Sequence, residues 1–179
     1  DANDNTELKK AISRCREENR VLVGPTGAIG SYAETVFPDL KTQVQRIETP
    51  VLIVCGSLNS LSRKQISNLT CPVFGVSDIL DVEEVTVLQT SFRSGPVSSV
   101  EAAETAQAIA KKVREVHYRT LFVIGGDTAG AIVGNRTLEV LGTVDTGIPI
   151  AKLDDYYLVT KGGGIGDENT LVKLLGDIK

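Results

Sequence analysis

Residues 121–133 read LFVIGGDTAGAIV and carry the most informative pattern of the chain. The apolar run Leu121–Ile124 is typical of a buried strand, Gly125-Gly126 predicts a tight turn, and the small residues that follow Asp127 and Thr128 begin a helix. Backbone N–H groups at a helix start bind anions, and two glycines let a ligand approach the main chain. The stretch therefore predicts a strand, a turn and a helix N-terminus that can bind phosphate.

A second glycine-rich stretch lies near the C-terminus, where residues 159–167 read VTKGGGIGD. A strand predicted over 156–160 is followed by Lys161, by a turn that contains Gly163, and by the last helix. Two glycine turns and one lysine can together bind one polyphosphate. The alternative is structural, because glycines also allow a sharp reversal, Lys161 can end the sheet, and Asp127 can cap its helix.

The composition narrows the class of protein. The 179 residues are 41% hydrophobic and 23% charged, which predicts one soluble domain over 1–179. A net charge of -4 without any basic run argues against nucleic-acid binding. The longest apolar runs, such as Val51–Cys55, are far shorter than a membrane span, and the first residues lack signal-peptide character, so a cytoplasmic protein is expected.

No metal site is expected from the cysteines and the histidine. Cys15, Cys55 and Cys71 show no CxxC pairing and are interpreted as reduced core residues, while His117 is interpreted as a surface residue. The chain begins at Asp1 and contains no methionine. We therefore interpret it as a fragment, a processed chain or a sequence from which residues are missing.

Strands and helices alternate along the chain. Val51–Cys55 is typical of a central parallel strand, and Ser57 follows it at the position where such sheets gather their ligand groups. Ser60 or Ser62 can cap the next helix, and a long helix begins at Ser98 or Ser99. The other predicted elements are strands 71–76, 85–90, 147–151 and 156–160 and helices 6–18, 129–141 and 169–175.

This alternation predicts an α/β fold, a three-layer α/β/α sandwich with a mostly parallel sheet. Strand 147–151 is placed at an edge of the sheet, since Pro149 cannot donate to a central ladder. The ligand is expected at the carboxyl ends of the parallel strands.

Residues 20–30 contain a third candidate turn. A short buried strand is predicted at Arg20–Val23, and the glycines of Gly24–Gly30 lead into a helix that ends near Phe37. The arrangement suits a dinucleotide, although the spacing is GxxGxxG instead of GxGxxG and a helix precedes the strand. Tight packing of helix on strand is the structural alternative.

Four motifs in order carry a resemblance to a known family. They are GSLNS at 56–60 followed by Gln65, IGGDTAGAIV at 124–133, GIPI at 147–150 and VTKGGGIGDENTL at 159–171. The chain resembles the nucleotide-binding C-terminal domain of the four-carbon acid sugar kinases, in which corresponding stretches read GSxSxxTxxQ, GGE/DT and KxGxFG. Two positions depart from that pattern: Asn59 stands where serine is common, and Ile165 where phenylalanine is common.

The resemblance implies an ATP-dependent kinase of a sugar acid such as threonate, erythronate or a 3-oxo-tetronate. Family members also carry an N-terminal substrate domain beginning with a DDxTG motif, which is absent from 1–179. The chain is therefore expected to be the nucleotide-binding half of a two-domain kinase, which needs that substrate domain as a partner and can form a homodimer.

The resemblance also suggests roles for individual residues. No GxxxxGK[ST] motif is present, so the phosphates would be bound by a different arrangement. Lys161 would neutralise phosphate charge as a catalytic residue, and Asp127 would orient Mg²⁺ through water. The residues expected to contact ATP are Ser57, Gly125, Gly126, Asp127, Thr128 and Gly163.

Two other functional classes stay open from the sequence. One is an NAD(P)-binding reductase built on Gly24–Gly30, for which no convincing cofactor-selecting charge follows the next strand. The other is a non-catalytic nucleotide-binding module.

Overall fold

The computed structural model describes residues 2–39, 44–91, 95 and 97–176. The chain divides into two compact units, Asp1–Thr42 and Gln43–Lys179, each with its own internal packing. The expectation of one domain over 1–179 stays a prediction. Among the described residues, no helix is long and apolar enough to cross a membrane.

The first unit contains two helices, α1 (Asn5–Glu17) and α2 (Thr26–Val36). The side chain of Asp4 caps α1 by accepting hydrogen bonds from two N–H groups of the first turn. Between the helices, the buried strand predicted at Arg20–Val23 is wrong. Val21 and Val23 are 88% and 89% exposed. The described residues of this unit offer no neighbouring strand with which an extended segment could pair.

The described residues of the second unit form a seven-stranded sheet, with the order β2-β3-β1-β4-β7-β6-β5. The first five strands in this order are parallel, and the last two are antiparallel to their neighbours. The strands are β1 (Val51–Cys55), β2 (Val73–Gly75), β3 (Val85–Gln89), β4 (Thr120–Ile124), β5 (Glu139–Asp145), β6 (Ile148–Leu153) and β7 (Tyr156–Lys161).

Four helices cover the two faces of this sheet. They are α3 (Ser60–Ser67), α4 (Ser99–Val113), α5 (Gly126–Val133) and α6 (Thr170–Leu175). One buried cluster joins alternate strand residues such as Ile53 and Phe122 to α3 and α6, and the other joins their neighbours, such as Leu121, to α4 and α5. This arrangement confirms the predicted α/β sandwich with a mostly parallel sheet.

The helix predicted over 129–141 is wrong in both bounds. Helix α5 begins at Gly126 and ends at Val133, and Gly134 takes a φ of 59°, a left-handed conformation that commonly ends helices. The chain then enters β5 at Glu139. Apolar residues that were assigned to the end of a helix therefore belong to a strand.

The edge position predicted for strand 147–151 is also wrong. Strand β6 lies between β5 and β7. Its pairing with β7 runs from Ile150 to Leu153, so Pro149 lies just outside that ladder and pairs only with β5. A proline at this position removes no N–H that β7 requires.

Candidate functional site

Three loops meet where the adjacent strands β1, β4 and β7 end. They are residues 56–59 after β1, 125–128 after β4 and 162–166 after β7. A cleft of about 910 Å³ opens beside them and continues along α4. The lining includes Gly56, Ser57, Thr90, Glu101, Thr105, Gly125, Gly126, Asp127, Thr128 and Gly163. The cleft lies at the carboxyl ends of the parallel strands, where the ligand is expected.

The three loops contact one another so closely that a side chain would meet a neighbouring loop at Gly56, Gly125 and Gly163. A Cβ added to Gly56 would overlap the Thr128 hydroxyl, and one added to Gly163 would overlap Ser57 Oγ. A Cβ on Gly125 would lie 3.3 Å from the backbone nitrogen of Ser57. These contacts fix the spacing between the loops, and the glycines expose main chain in the lining of the cleft.

Free backbone donors line the start of α5. Gly125 caps the helix with a φ of 122° and without any side-chain hydrogen bond. The first intrahelical bond runs from Ala129 N to Gly125 O at 3.0 Å, so the N–H groups of Gly126, Asp127 and Thr128 donate to no described group. Such donors, together with the positive end of the helix dipole, favour an anion in the cleft.

Ser57 is fixed by hydrogen bonds that sequence reasoning missed. Its Oγ accepts from Asn59 N at 3.2 Å, and its carbonyl oxygen accepts from Arg63 Nε at 3.0 Å. The Arg63 guanidinium also donates to Gln89 Oε1 at 3.1 Å, to Thr90 O at 2.6 Å and to Thr90 Oγ1 at 2.7 Å. Arg63 therefore ties the loop after β1 to the end of β3. Nothing in its sequence context marked it for this role.

Helix α3 also binds the glycine-rich loop after β7. Ser62 Oγ donates to Gly163 O at 2.6 Å, and Gln65 Nε2 donates to the carbonyl oxygens of Ile165 and Asp167 at 3.1 and 2.6 Å. The sequence alone predicts no role for Gln65 beyond its place in a family motif, and for Ser62 only that of a helix cap. The actual cap of α3 is Asn59, whose Oδ1 accepts from Leu61 N at 2.9 Å.

Lys161 is the one predicted site residue that does not line the cleft. It is 3% exposed. Because Lys161 and Val159 are two residues apart in β7, their side chains point to the same face of the sheet, and Val159 packs there with α3 and α6. Its Nζ donates to Gly162 O at 3.0 Å, and burial lowers the pKa of the ammonium. Among the described residues, no carboxylate pairs with it. Its role in phosphate binding stays a prediction.

The buried ammonium predicts a specific dependence of stability on pH. Because its pKa is lowered in the folded state, the unfolded chain binds more protons between that lowered value and the ordinary lysine value of about 10.4. The free energy of unfolding of the wild type should therefore rise with pH across this window relative to that of Lys161→Met. Urea unfolding of both proteins at several pH values between 7 and 10.5 measures the difference. Parallel stability curves would contradict the assignment.

The N–H groups and carboxylates that line the cleft suit a magnesium nucleotide. Among the described residues, no group of three or more His, Cys, Asp or Glu side chains is arranged to hold a metal ion. Mg²⁺ usually needs only one or two carboxylates beside substrate phosphates and water. Asp127 is exposed at the start of α5, and Glu101 and Glu104 line the cleft from α4. Free N–H groups for phosphate and a carboxylate for a hydrated metal thus lie in one cleft.

The Gly24–Gly30 turn does not form a comparable site. No strand precedes it in the described residues, and a Cβ added to Gly27 or Gly30 would meet nothing within 4 Å. A dinucleotide turn needs a strand that ends at the turn and glycines at close contacts. Within the described residues of the first unit, the structure offers neither requirement at Gly27 and Gly30.

Comparison with known proteins identifies the family. Residues 80–171, just over half of the chain, match the family described as nucleotide-binding C-terminal domain. The chain belongs to this family. This match confirms the predicted resemblance to the nucleotide-binding C-terminal domain that occurs in the four-carbon acid sugar kinases.

Similar proteins are about twice as long as this chain. The D-threonate kinase of Salmonella typhimurium is 23% identical over 207 residues, covering 87% of this chain and 47% of the kinase. A Haemophilus influenzae protein has a similar structure, with a TM-score of 0.67, 18% identity and coverage of 100% of this chain and 53% of that one. A Bordetella bronchiseptica domain of unknown function, a domain-swapped dimer with bound citrate, has a TM-score of 0.56 at 18% identity and covers 97% and 51%. The similarity of these two structures to this chain shows that all three share one fold.

Proposed function

We propose that the cleft beside β1, β4 and β7 binds MgATP and that the chain is the nucleotide-binding half of a kinase acting on a four-carbon acid sugar. The observation that carries this proposal is the group of free N–H donors at Gly126, Asp127 and Thr128, facing a cleft whose lining exposes main chain at its glycines. Membership of a nucleotide-binding family supports it.

In this proposal the protein acts by positioning and charge stabilisation. Phosphoryl transfer requires in-line alignment and stabilisation of negative charge more than covalent chemistry from the protein. The N–H groups at the start of α5 would bind phosphate oxygens, Asp127 would hold Mg²⁺ through water, and Ser57 with Gly163 would form the adjoining wall. Mg²⁺ would supply charge neutralisation between the phosphates.

The substrate class is inferred from the one relative described above whose name states a function. That relative is a D-threonate kinase, and the match covers 87% of this chain. We infer a four-carbon sugar acid such as threonate, erythronate or a 3-oxo-tetronate as the phosphoryl acceptor. Citrate bound to the Bordetella bronchiseptica protein is in keeping with a small acid as ligand in this fold.

We also infer that a substrate-binding domain accompanies this chain. The chain spans about half the length of the relatives it matches. In the first unit, Val21 and Val23 are 88% and 89% exposed, and a contact with a second domain would bury these apolar side chains. The domain-swapped dimer of the Bordetella bronchiseptica protein makes a homodimer a second arrangement to test.

Asp127→Asn tests the contribution of the metal ion to binding separately from that of the phosphates. The variant keeps the size of the side chain but loses the carboxylate, so we expect MgATP to bind at least about tenfold more weakly while ATP without magnesium binds as in the wild type. Isothermal titration calorimetry with and without Mg²⁺ measures both affinities. Asp155→Asn is the matched control, because Asp155 is exposed in the turn at the opposite end of β7. Equal MgATP affinity in Asp127→Asn and wild type would remove Asp127 from the metal site.

A further inference from the structure

One face of α3 is devoted to the main chain of the glycine-rich loop. Ser62, Gln65 and Asn68 are spaced three residues apart and so share a side of the helix. Together they donate four hydrogen bonds, of 2.6 to 3.1 Å, to carbonyl oxygens within residues 163–168. The loop is therefore held along its length by side chains of a single helix.

These bonds determine where the N–H groups of the loop point. In a trans peptide the C=O and N–H of one unit point in opposite directions. The carbonyl of Gly163 points to Ser62, so the N–H of Gly164 points away from α3; in the same way, the carbonyl of Ile165 points to α3 and the N–H of Gly166 points away. Both N–H groups donate to no described group, and both glycines are exposed.

The burial of the donors makes this arrangement hard to replace by water. Ser62 and Gln65 are both 0% exposed. The Gln65 amide turns its nitrogen to two carbonyls and leaves Oε1 buried without a hydrogen-bond partner among the described residues. Reversing the amide would place its oxygen against two carbonyl oxygens. The loop carbonyls thus fix the amide, and the amide fixes the loop.

We propose that Ser62 and Gln65 are positioning residues, which orient the free N–H groups of loop 162–166 toward an anionic group of the nucleotide. Gly163, the first residue they hold, lines the cleft and packs against Ser57. Backbone N–H groups presented together by a glycine-rich loop form a binding site for phosphate oxygens. The inference rests on the proposed binding of MgATP in the adjoining cleft.

The test compares three variants of this face of α3. Gln65→Met keeps the length of the side chain but removes both donors, and Ser62→Ala removes one donor with the smallest change in volume. We expect the dissociation constant of MgATP to rise at least about tenfold in Gln65→Met and about threefold or more in Ser62→Ala. Calorimetry gives the affinity, and circular dichroism with a thermal melt shows that each variant is folded. Should Gln65→Met not fold, Ser62→Ala carries the test.

Asn68→Ala is the matched control, because Asn68 donates to Glu168 O at 3.0 Å, beyond the glycines. It should lower the melting midpoint but change the MgATP affinity less than about twofold. A purely structural role of the four hydrogen bonds would lower stability in all three variants and leave the MgATP affinity unchanged. Unchanged affinity in folded Gln65→Met and Ser62→Ala, or an equal loss in all three variants, would overturn the positioning role alone. If the wild type does not bind MgATP, the proposed function fails and this inference fails with it.

Discussion

Gly56→Ala should destabilise the protein strongly, and Thr128→Ala in the same chain should restore much of the loss. The added methyl would overlap the Thr128 hydroxyl, which belongs to a side chain only 4% exposed at the start of α5. Overpacking at a buried contact costs roughly 1–3 kcal/mol, and more where main chain must move. Because β1 and β4 are fully buried neighbours, neither loop can shift without disturbing the sheet.

The rescue follows from the atoms that remain. Without its hydroxyl and methyl, residue 128 presents only its Cβ, which would lie 3.1 Å from the new methyl group. Urea unfolding of the two single variants and of the double variant gives the coupling energy, which we expect to be favourable by roughly 1–3 kcal/mol. Gly130→Ala is the control on the same helix, since a Cβ there would meet nothing within 4 Å. Additive effects of Gly56→Ala and Thr128→Ala would show that the two loops do not touch.

Gly125→Ala should reduce both stability and nucleotide affinity. Its φ of 122° is a conformation that residues with a side chain rarely adopt, and the methyl would lie 3.3 Å from Ser57 N. Strain of this kind costs roughly 1–3 kcal/mol. Relief by rotation of the backbone would turn the N–H groups that open α5, so we expect MgATP affinity to fall at least about tenfold.

Gly126→Ala separates strain from the mere loss of a glycine. It lies one residue further along, has no left-handed φ, and a Cβ there would meet nothing within 4 Å. Its unfolding free energy should stay within about 0.5 kcal/mol of the wild type, as for an ordinary surface change. Urea unfolding and calorimetry on both variants provide the comparison. A Gly125→Ala protein with wild-type stability would contradict the conformation of this turn.

Local patterns predicted the centre of the fold because they agree with its tertiary structure there. The apolar run of β4 reflects a strand buried on both faces, and the following Gly125 reflects a turn whose φ and close contact with Ser57 N disfavour a side chain. The sequence predicts too long a helix here because Leu138 continues the helical spacing of Ile132 and Val133, and Gly142 is typical of a helix stop. The chain instead enters β5, where Val140 pairs with Ala151 of β6, and no local signal reports that pairing.

The candidate site was predictable in its loops but not in its side-chain directions. The alternation of side chains along β7 places Lys161 on the same face of the sheet as Val159. Only the tertiary structure shows that the cleft opens on the opposite face, which α4 covers. Arg63 binds Thr90, which is 27 residues away in the chain. Likewise, Gln65 binds carbonyl oxygens about 100 residues away. Main-chain carbonyls leave no trace in a sequence, so such partners could not be found from residue types alone.

The most direct test of the central claim is the thermal shift of this chain with MgATP and, separately, with NADPH, each from tens of micromolar to millimolar. A ligand at a hundred times its dissociation constant adds about 2.7 kcal/mol to the unfolding free energy, which moves the midpoint of a domain of this size by several degrees. We expect a concentration-dependent upward shift with MgATP and none with NADPH. A shift with NADPH alone would contradict nucleotide binding in the cleft beside β1, β4 and β7 as proposed.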